Sequence, residues 1–399
     1  MDNEKKYKIT LKEVITYENY YNALKLCNSS VNYKFSVQQY NLHNIEKIRE
    51  TIDLIRDLRI PVVKNSEKVI IHERGKRRVI TPIIIDDRVT QRVLCDNVLL
   101  PSIVPHLITD NAASIKDRGT DFARKRLNDY IEEAKRKYGV DNLYALVFDF
   151  KSYFDNIEHM QCYKILKQYV YDEDIIDLTI GIIESYKLDE INKIEDEETR
   201  SEELRKLFNH EYRGVCLGSE ISQIMAVAVP NEIDHYIKDK LGMKYYVRYM
   251  DDGVIIFNSK ERLLEVKNEL EKLNVKCGVK FNQKKTCIVK LTKGFTFLKT
   301  KYNVTPDGKT IKRLKREGIV RERKKLKKFK EKVDNGKMSL DDVYQNIQSW
   351  NAHSNIAKSF RTKKEMFKLY DDLYGGYKMT RKYYQNNPDI KRKRKVVRL

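Results

Sequence analysis

The stretch that decides the fold of this 399-residue chain is KYYVRYMDDGVIIF, at residues 244–257. Two β-prone apolar runs flank a short acidic turn, a pattern that predicts a β-hairpin. The turn places Asp251 and Asp252 at the tip of the hairpin. Neighbouring side chains on a strand point to opposite faces, but at a turn both can converge on one site. We therefore expect a hairpin that presents two carboxylates together.

A third carboxylate follows another short apolar run. Residues 143–149 read LYALVFD, which predicts a buried strand that ends at Asp149. Ionised carboxylates beside buried strands need compensating charge. Mg²⁺ can supply it with one or two carboxylates per ion, because its other ligands are waters and substrate phosphates. The three carboxylates therefore indicate a pair of metal ions; the alternative is a tight Asp-Asp turn that is unrelated to Asp149.

The composition favours a folded protein that binds a polyanion. With 41% hydrophobic residues, 7 Pro and 15 Gly, disorder across most of the chain is excluded. The formal charge of +21 indicates a nucleic acid or an acidic membrane surface as the partner. Residues 301–399 hold 29 basic and 11 acidic side chains, so +18 of this charge lies in the last quarter of the chain.

Two other classes of protein do not fit the sequence. No run of about 18 apolar residues is present and the first residues do not resemble a signal peptide, so we expect a soluble, cytoplasmic protein with no membrane partner. The six cysteines are scattered, without a Cys-x-x-Cys pair. They are typical of reduced structural thiols rather than metal ligands.

Around the two strands the pattern predicts mostly helices. Apolar spacing predicts helices over residues 8–58, then a hairpin over 69–80 with a basic turn, and then a helix over 86–100 that Pro101 ends. Further segments are predicted as helices at 160–186, 221–240 and 259–273, a strand at 295–302 and basic helices from 311 onward.

The segment 172–203 is sharply acidic, with 13 Asp or Glu against three basic residues. The simplest interpretation is a solvated helical insertion or loop.

The hairpin and its neighbours resemble the prokaryotic reverse transcriptases. Tyr249-Met250-Asp251-Asp252 matches the Tyr-x-Asp-Asp box of that family. Further matches follow in the order of the family: GKRRVI at 75–80 with DDRVTQ at 86–91, FDFKSYFDNI at 148–157, GVCLGS at 214–219 with SQ at 222–223, FNQKKT at 281–286 and GFTFL at 294–298. A single box would be weak evidence, but six ordered boxes over residues 8–375 are specific.

The resemblance implies an α+β right-hand polymerase with fingers, a palm of antiparallel sheet plus helices, and a helical thumb. The implied division is an N-terminal helical extension of the fingers at 1–60, fingers and the start of the palm at 61–142, a palm at 143–302 with the acidic insertion 172–203, a thumb at 303–375 and a basic tail at 376–399.

The implied activity is RNA-directed DNA synthesis from dNTPs by two-metal nucleotidyl transfer. By resemblance, Asp149 and Asp251 hold two Mg²⁺ ions, for which Mn²⁺ can substitute. The backbone carbonyl of Phe150 is a further ligand and Asp252 supports the metal site. Lys285 matches the position that protonates pyrophosphate.

The resemblance also implies a dNTP site. Phe154 matches the aromatic steric gate that excludes a 2′-hydroxyl, although an ordinary core phenylalanine is the alternative. Lys76 and Arg78 match the residues that grip the triphosphate, with a solvated basic turn as the alternative. Leu217 and Gly218 match the box beside the nascent base pair. Leu217 stands where many members have glutamine, which suggests relaxed fidelity and resembles the enzymes of diversity-generating retroelements.

The basic end resembles the thumb. Residues 311–332 and 345–360 resemble helices that follow the phosphates of a template–primer duplex, with solvated surface helices as the alternative. The expected nucleic-acid contacts are Arg313, Lys315, Arg316, Arg323, Lys324, Lys327 and Lys328.

Three biological settings are compatible with the sequence. The first is antiphage defence, in which the enzyme copies a dedicated non-coding RNA into cDNA. We favour it because residues 111–114 and 218–221 do not fit the retroelement pattern cleanly. The others are the polymerase of a diversity-generating retroelement and a non-catalytic RNA-binding protein on a polymerase scaffold, and the three intact aspartates argue against the last. The native template, the primer and a homo-oligomeric state are left open.

Overall fold

A computed structural model of the chain describes residues 6–29, 31–57, 69–73, 76–80 and 82–378. The predicted tail at 376–399 therefore lies almost entirely outside the described residues. The chain forms two compact units. The first comprises Met1–Arg126, Phe148–Ile255 and Glu261–Cys287, and the second comprises Leu127–Val147, Ile256–Lys260 and Ile288–Leu399.

The predicted N-terminal helices are present. They are α1 (Leu11–Val14), α2 (Tyr17–Cys27), α3 (Phe35–Leu42) and α4 (Asn44–Arg56). Helix α4 buries Ile48, Ile52 and Ile55 along one face, as the apolar spacing predicts.

The predicted basic hairpin is also present. Strands β1 (Val69–Glu73) and β2 (Lys76–Ile80) pair antiparallel, with Glu73 opposite Lys76. Helix α5 (Ile85–Leu94) follows and continues through a π-helical turn at Cys95–Leu99 into α6 (Leu100–Ile103).

The prediction that Pro101 ends this helix is wrong. Pro101 lies at the start of α6, directly after the π-helical turn at Cys95–Leu99, an irregularity of the kind at which a helix accommodates a proline. The proline is therefore tolerated, and the helix runs on to Ile103.

The next segment contains the first of the predicted palm strands. Its elements are α7 (Thr120–Tyr138), β3 (Tyr144–Asp149), α8 (Tyr153–Asn156), α9 (His159–Tyr169), α10 (Glu173–Ile191) and α11 (Glu197–Phe208). Strand β3 is almost wholly buried and ends at Asp149, as predicted.

The solvated interpretation of 172–203 is wrong for its first half. Helix α10 buries an aliphatic face that includes Ile176 and Ile183, and its Glu184 is buried against His210 at 2.7 Å. The prediction followed the excess of acidic residues in this segment, but the isoleucines between them pack in the core. Helix α11 is exposed as expected and buries only Leu207 among its described residues.

The hairpin of the opening stretch joins a four-stranded sheet. After α12 (Glu220–Ala228), α13 (Asn231–His235) and a π-helical turn at Tyr236–Lys240 come β4 (Tyr246–Tyr249), β5 (Asp252–Phe257), α14 (Lys260–Lys276) and β6 (Cys287–Lys290). The strand order is β4-β5-β3-β6. Strands β4 and β5 pair antiparallel, with Tyr249 opposite Asp252.

A second sheet replaces a single predicted strand. Strands β7 (Phe295–Phe297), β8 (Thr300–Val304) and β9 (Thr310–Leu314) form an antiparallel sheet in this order. The predicted strand 295–302 is broken because Leu298 and Lys299 have φ values of 45° and 66°, as a two-residue hairpin turn requires. The expectation of helix from 311 onward is also wrong as far as Leu314, so Arg313 lies on β9.

Three helices close the described chain. They are α15 (Arg316–Asp334), α16 (Leu340–Ser354) and α17 (Phe360–Tyr374). Their shared core contains Leu326, Trp350 and Tyr370. The Tyr374 hydroxyl donates to the Leu326 carbonyl at 2.5 Å and ties α17 to α15. Among the described helices, none is long and apolar enough to cross a membrane.

Candidate active site

A buried arginine holds the turn of the β4–β5 hairpin through a hydrogen bond to its backbone. Arg248 is fully buried, and its guanidinium meets the Asp234 carboxylate through Nε at 2.8 Å and Nη2 at 2.7 Å. Its Nη1 donates to the carbonyl of Met250 at 2.8 Å. Met250 has a φ of 53°, an unfavourable conformation for a residue with a side chain. The ion pair therefore holds the turn that carries Asp251.

A short ladder brings the third carboxylate to this turn. The Phe150 amide donates to the Asp251 carbonyl at 3.1 Å, and the Asn282 amide donates to the Asp149 carbonyl at 2.7 Å. Phe150 and Phe281 pair as an antiparallel bridge, which the second of these bonds flanks on one side and the bond from the Lys151 amide to the Lys280 carbonyl flanks on the other. The predicted convergence of Asp149 and the hairpin tip is thus a consequence of backbone pairing.

Both oxygens of the Asp149 carboxylate have partners. Asn282 donates to Oδ1 at 3.1 Å, and the Lys285 ammonium lies 2.5 Å from Oδ2. Asp149 is 5% exposed, whereas the Lys285 side chain is about half exposed. Burial lowers the pKa of Lys285, but the hydrogen bond and the charge of Asp149 outweigh it and hold this pKa above its ordinary value.

Asp252 is a strongly perturbed acid of the site. Burial, followed by the charges of Asp251 and Asp149, raises the pKa of Asp252 to about 7. The hydrogen bond that it shares with the Asp149 carboxyl acts in the same direction. Three carboxylates thus lie close together, and the Lys285 ammonium acts against the rise in the pKa of Asp252. Such a site is short of positive charge.

The donor set fits magnesium better than a metal that needs a full protein cage. Within the described residues no group of three His, Cys, Asp or Glu side chains is arranged to hold a metal ion. Mg²⁺ requires only one or two carboxylates and retains water and phosphate ligands. The Lys285 ammonium at Asp149 occupies a position where a cation is favoured, and its exposed side chain can move away. Asp149, Asp251 and the Phe150 carbonyl could therefore hold such an ion.

These carboxylates line a cavity of about 1230 Å³ that also contains the predicted steric gate. Phe154 lies on its wall beside Leu217. The adjacent Tyr153 is buried, with its hydroxyl donating to the Ala226 carbonyl at 2.6 Å, so the start of α8 is anchored. Phe154 therefore faces the cavity rather than the core.

The fingers residues are only partly described. Lys76 and Arg78 belong to β2, but their side chains lie outside the described part of the structure. Arg77 between them lines the cavity, although nothing in the sequence distinguishes it from its basic neighbours. Gly218 has a φ of 105°, which favours glycine, and follows Leu217 in the turn before α12.

The predicted thumb contacts differ in their surroundings. Arg313 is exposed on β9, and Lys315 and Arg316 are exposed at the start of α15. Arg323 is paired with Glu365 at 2.5 Å. The remaining three, Lys324, Lys327 and Lys328, are exposed on α15, and none has an ion pair among the described residues.

Sequence reasoning missed the residues that support the site. Asn282 lies in a matched box to which no role was assigned, Arg248 flanks the Tyr-x-Asp-Asp box, and no sequence prediction gives Asp234 a role. Arg248 could have been selected because it is a charged residue within an otherwise apolar strand. A buried arginine needs a carboxylate partner, so its position predicts an ion pair.

The comparisons with known proteins agree with this geometry. The sequence profile of the reverse transcriptase (RNA-dependent DNA polymerase) family matches residues 62–302, more than half of the chain. No curated protein matches the sequence.

Solved structures give weaker likenesses. Apo telomerase from Candida tropicalis, truncated from its C-terminal domain, is 16% identical with a TM-score of 0.45, over 63% of this chain and 56% of that one. Telomerase from Candida albicans in complex with a TWJ fragment of telomeric RNA is 14% identical with a TM-score of 0.42, over 81% of this chain and 65% of that one. The chain thus spans between about half and two thirds of these relatives, and scores this low add nothing to the assignment.

The matched region contains β3, the β4–β5 hairpin and the cavity between their carboxylates and Phe154. Its mixture of helices and antiparallel sheet is that of a right-hand polymerase. The chain therefore belongs to the reverse transcriptase family.

Proposed function

We propose that the chain copies an RNA template into cDNA at the end of the cavity where Asp149, Asp251 and Asp252 meet. The observation that carries the proposal is this convergence, since backbone pairing and a buried ion pair hold Asp149 and Asp251 at the wall of one cavity, and Asp252 shares a hydrogen bond with Asp149. Phe154 and Leu217 line the same cavity, as a site for a dNTP and its base pair requires.

Asp149, Asp251 and the Phe150 carbonyl would hold the metal ions, and Asp252 would support them. Two bound Mg²⁺ ions would lower the pKa of the primer 3′-hydroxyl and offset the charge of the phosphates. Mn²⁺ offers similar oxygen coordination and is the expected substitute. Cation binding at these carboxylates would also favour the ionised form of Asp252.

The chemical step is a displacement at phosphorus. The 3′-oxygen of the primer gives its proton to solvent water and forms a bond to the α-phosphorus of the dNTP. The bond from that phosphorus to the bridging oxygen of the β-phosphate breaks, and pyrophosphate leaves. Lys285 would donate a proton to this leaving group once its ammonium, which lies 2.5 Å from Asp149 Oδ2, moves away. The ring of Phe154 would exclude a 2′-hydroxyl and so select deoxynucleotides.

Primer extension tests the proposal. The full chain is incubated with a primed RNA template, Mg²⁺ and dNTPs, beside an Asp251→Asn, Asp252→Asn variant that keeps the side-chain volumes. We expect cDNA from the wild type and none from the variant. Absence of incorporation by the wild type on every primed or self-primed template would remove the catalytic claim.

Phe154→Ala provides a second readout of the same site. Because the ring is proposed to exclude the 2′-hydroxyl, the variant should incorporate ribonucleotides that the wild type rejects. Unchanged selectivity would assign Phe154 to the cavity wall alone.

For the biological role we propose antiphage defence with a dedicated non-coding RNA as template. The support is the sequence at 111–114 and 218–221, which departs from the retroelement pattern. Sequencing of RNA and cDNA that co-purify with the chain, together with phage plating on cells that carry wild type or Asp251→Asn, tests it. A template repeat beside a variable target gene would instead favour the retroelement, to which the aliphatic Leu217 points.

A further inference from the structure

A short segment at residues 210–215 lies alongside the chain at residues 154–160. Four backbone hydrogen bonds of 2.8–3.1 Å join them, from the amides of His159, Met160, Gly214 and Val215 to the carbonyls of Tyr212, His210, Ile157 and Phe154, in that order. We call these two segments the clasp. The bond at one end joins Phe154 to Val215, two residues before Leu217, and both Phe154 and Leu217 line the cavity. The clasp therefore connects two parts of the cavity wall.

The side chain of His159 joins the two segments a second time. His159 is 2% exposed, and its Nε2 lies 2.8 Å from the Gly214 carbonyl oxygen. A carbonyl oxygen can only accept, so Nε2 carries a proton and donates it to this bond. Gly214 has a φ of 95°, which favours glycine, and a Cβ there would lie 3.4 Å from the Asp155 carbonyl oxygen. The segments are thus in close contact one residue before the bond to Phe154.

Helix α10 of the acidic segment contributes one buried carboxylate to the clasp. Glu184 is 7% exposed, and its Oε1 lies 2.7 Å from Nδ1 of His210. The same oxygen lies 3.5 Å from Nδ1 of His159, a buried nitrogen that has no hydrogen-bond partner within the described structure. Buried polar groups normally have such partners, and for both imidazoles Glu184 is the carboxylate at hand. Glu184 therefore contacts the residue that begins segment 210–215 and the residue that binds Gly214.

The place of Phe154 depends on bonds to neighbouring segments. Helix α8, which carries it, is a single turn at Tyr153–Asn156, and a helix this short has little stability of its own. His159, Glu184 and His210 do not line the cavity. They would act on a bound nucleotide through the backbone that they hold.

We propose that His159 and Glu184 are positioning residues that hold Phe154 and Leu217 at the spacing that selects a deoxynucleotide. The inference rests on the proposed polymerase function. It also gives the buried half of the segment 172–203 a role in that function, since Glu184 is the carboxylate by which this segment contacts the clasp.

Sugar selectivity measures the positioning. His159→Leu removes the donor to Gly214, whereas His159→Gln keeps a donor of similar reach. We expect the ratio of kcat/KM for dNTP over that for the matching ribonucleotide to fall about tenfold in His159→Leu, because loss of a buried hydrogen bond lets the Phe154 ring move. His159→Gln should restore most of this ratio, and kcat with dNTP should change less than about threefold in both variants.

A second pair of variants tests the carboxylate. Glu184→Leu should lower the selectivity in the same direction, and Glu184→Gln, which keeps an acceptor for His210, should change it less. The matched control is Ile176→Ala, a fully buried residue on the same helix that is not part of the clasp. The control should unfold at a lower temperature and keep the wild-type selectivity. If Ile176→Ala changes the selectivity as much as His159→Leu does, the effect is one of general stability and the proposal fails.

Hydrogen exchange gives a readout without catalysis. In the full chain without nucleotide, peptides that contain residues 154–160 and 210–215 should exchange about tenfold faster in His159→Leu than in the wild type. Unchanged exchange, or faster exchange with unchanged selectivity, would overturn the positioning role. A wild type that makes no DNA would count against the proposed function, and the exchange rates alone would then support or overturn the clasp.

Discussion

The two ion pairs of the site carry the same charges in opposite settings. Asp234 and Arg248 are both fully buried, with every interaction directed at the backbone or side chains of the fold. Asp149 is buried, but its partner Lys285 is about half exposed at the cavity. The first pair cannot exchange partners without unfolding its surroundings, whereas the second can. The difference separates the residues that hold the hairpin from those available to metal and phosphate.

Breaking the buried pair should have the largest effect on stability. Arg248→Met leaves Asp234 as an uncompensated buried charge, which typically costs about 3–5 kcal/mol of the free energy of unfolding. Denaturant unfolding of the variant checks this value. The double change Arg248→Met with Asp234→Leu should cost less than the sum of the two single changes. Additive costs would mean that the two side chains do not act as a pair.

Breaking the half-exposed pair should act on catalysis instead. Lys285→Met removes the candidate proton donor and should lower the single-turnover rate about a hundredfold, at the low end of general-acid effects. Its effect on the free energy of unfolding should stay below about 1 kcal/mol, because half-exposed pairs contribute little. Lys284→Met on the neighbouring residue is the control. A large loss of stability in Lys285→Met would show that the Asp149–Lys285 pair holds the fold as the Asp234–Arg248 pair does, and would contradict the contrast between them.

Close packing at a glycine of the hairpin, Gly253, gives a second test of how rigid the support of the site is. Gly253 lies opposite Arg248 in the β4–β5 ladder, and a Cβ at Gly253 would lie 2.1 Å from the ring of Phe148. Gly253→Ala should therefore destabilise the chain by about 1–3 kcal/mol through overpacking. Thermal unfolding measures the cost. Gly318→Ala, where a Cβ meets nothing within 4 Å, is the matched control and should not destabilise.

Exposed lysines without partners should have the smallest effect on the fold. Changing Lys324, Lys327 and Lys328 to glutamine should weaken binding to a template–primer duplex at all sequences and reduce its salt slope by about one per lysine. Filter binding across a salt series measures the slope. Lys309, already paired with Asp307, is the control position. An unchanged slope would show that this face of α15 does not contact phosphates.

Local patterns predicted the acidic hairpin and the buried strand before Asp149, whereas the place of Phe154 at a nucleotide site came from the family resemblance. Each of these depends on neighbours within a few residues of the chain. The hairpin turn is held by the ion pair between Arg248 and Asp234, which lies 14 residues earlier in the chain. That the two side chains are buried together depends on the tertiary structure, so neighbouring residues in the sequence do not predict it. For the same reason the acids of α10 suggested a solvated segment although its isoleucines are in the core.

The most direct measurement is the incorporation of one dNTP on a primed RNA template by wild type and by Asp251→Asn in a single turnover. The variant should unfold at the wild-type temperature, since Asp251 lies in the turn and Arg248 holds the turn through the Met250 backbone. Its rate should fall at least about a thousandfold because the metal site loses a carboxylate. A folded variant that incorporates dNTP at the wild-type rate would contradict the assignment of catalysis to these carboxylates.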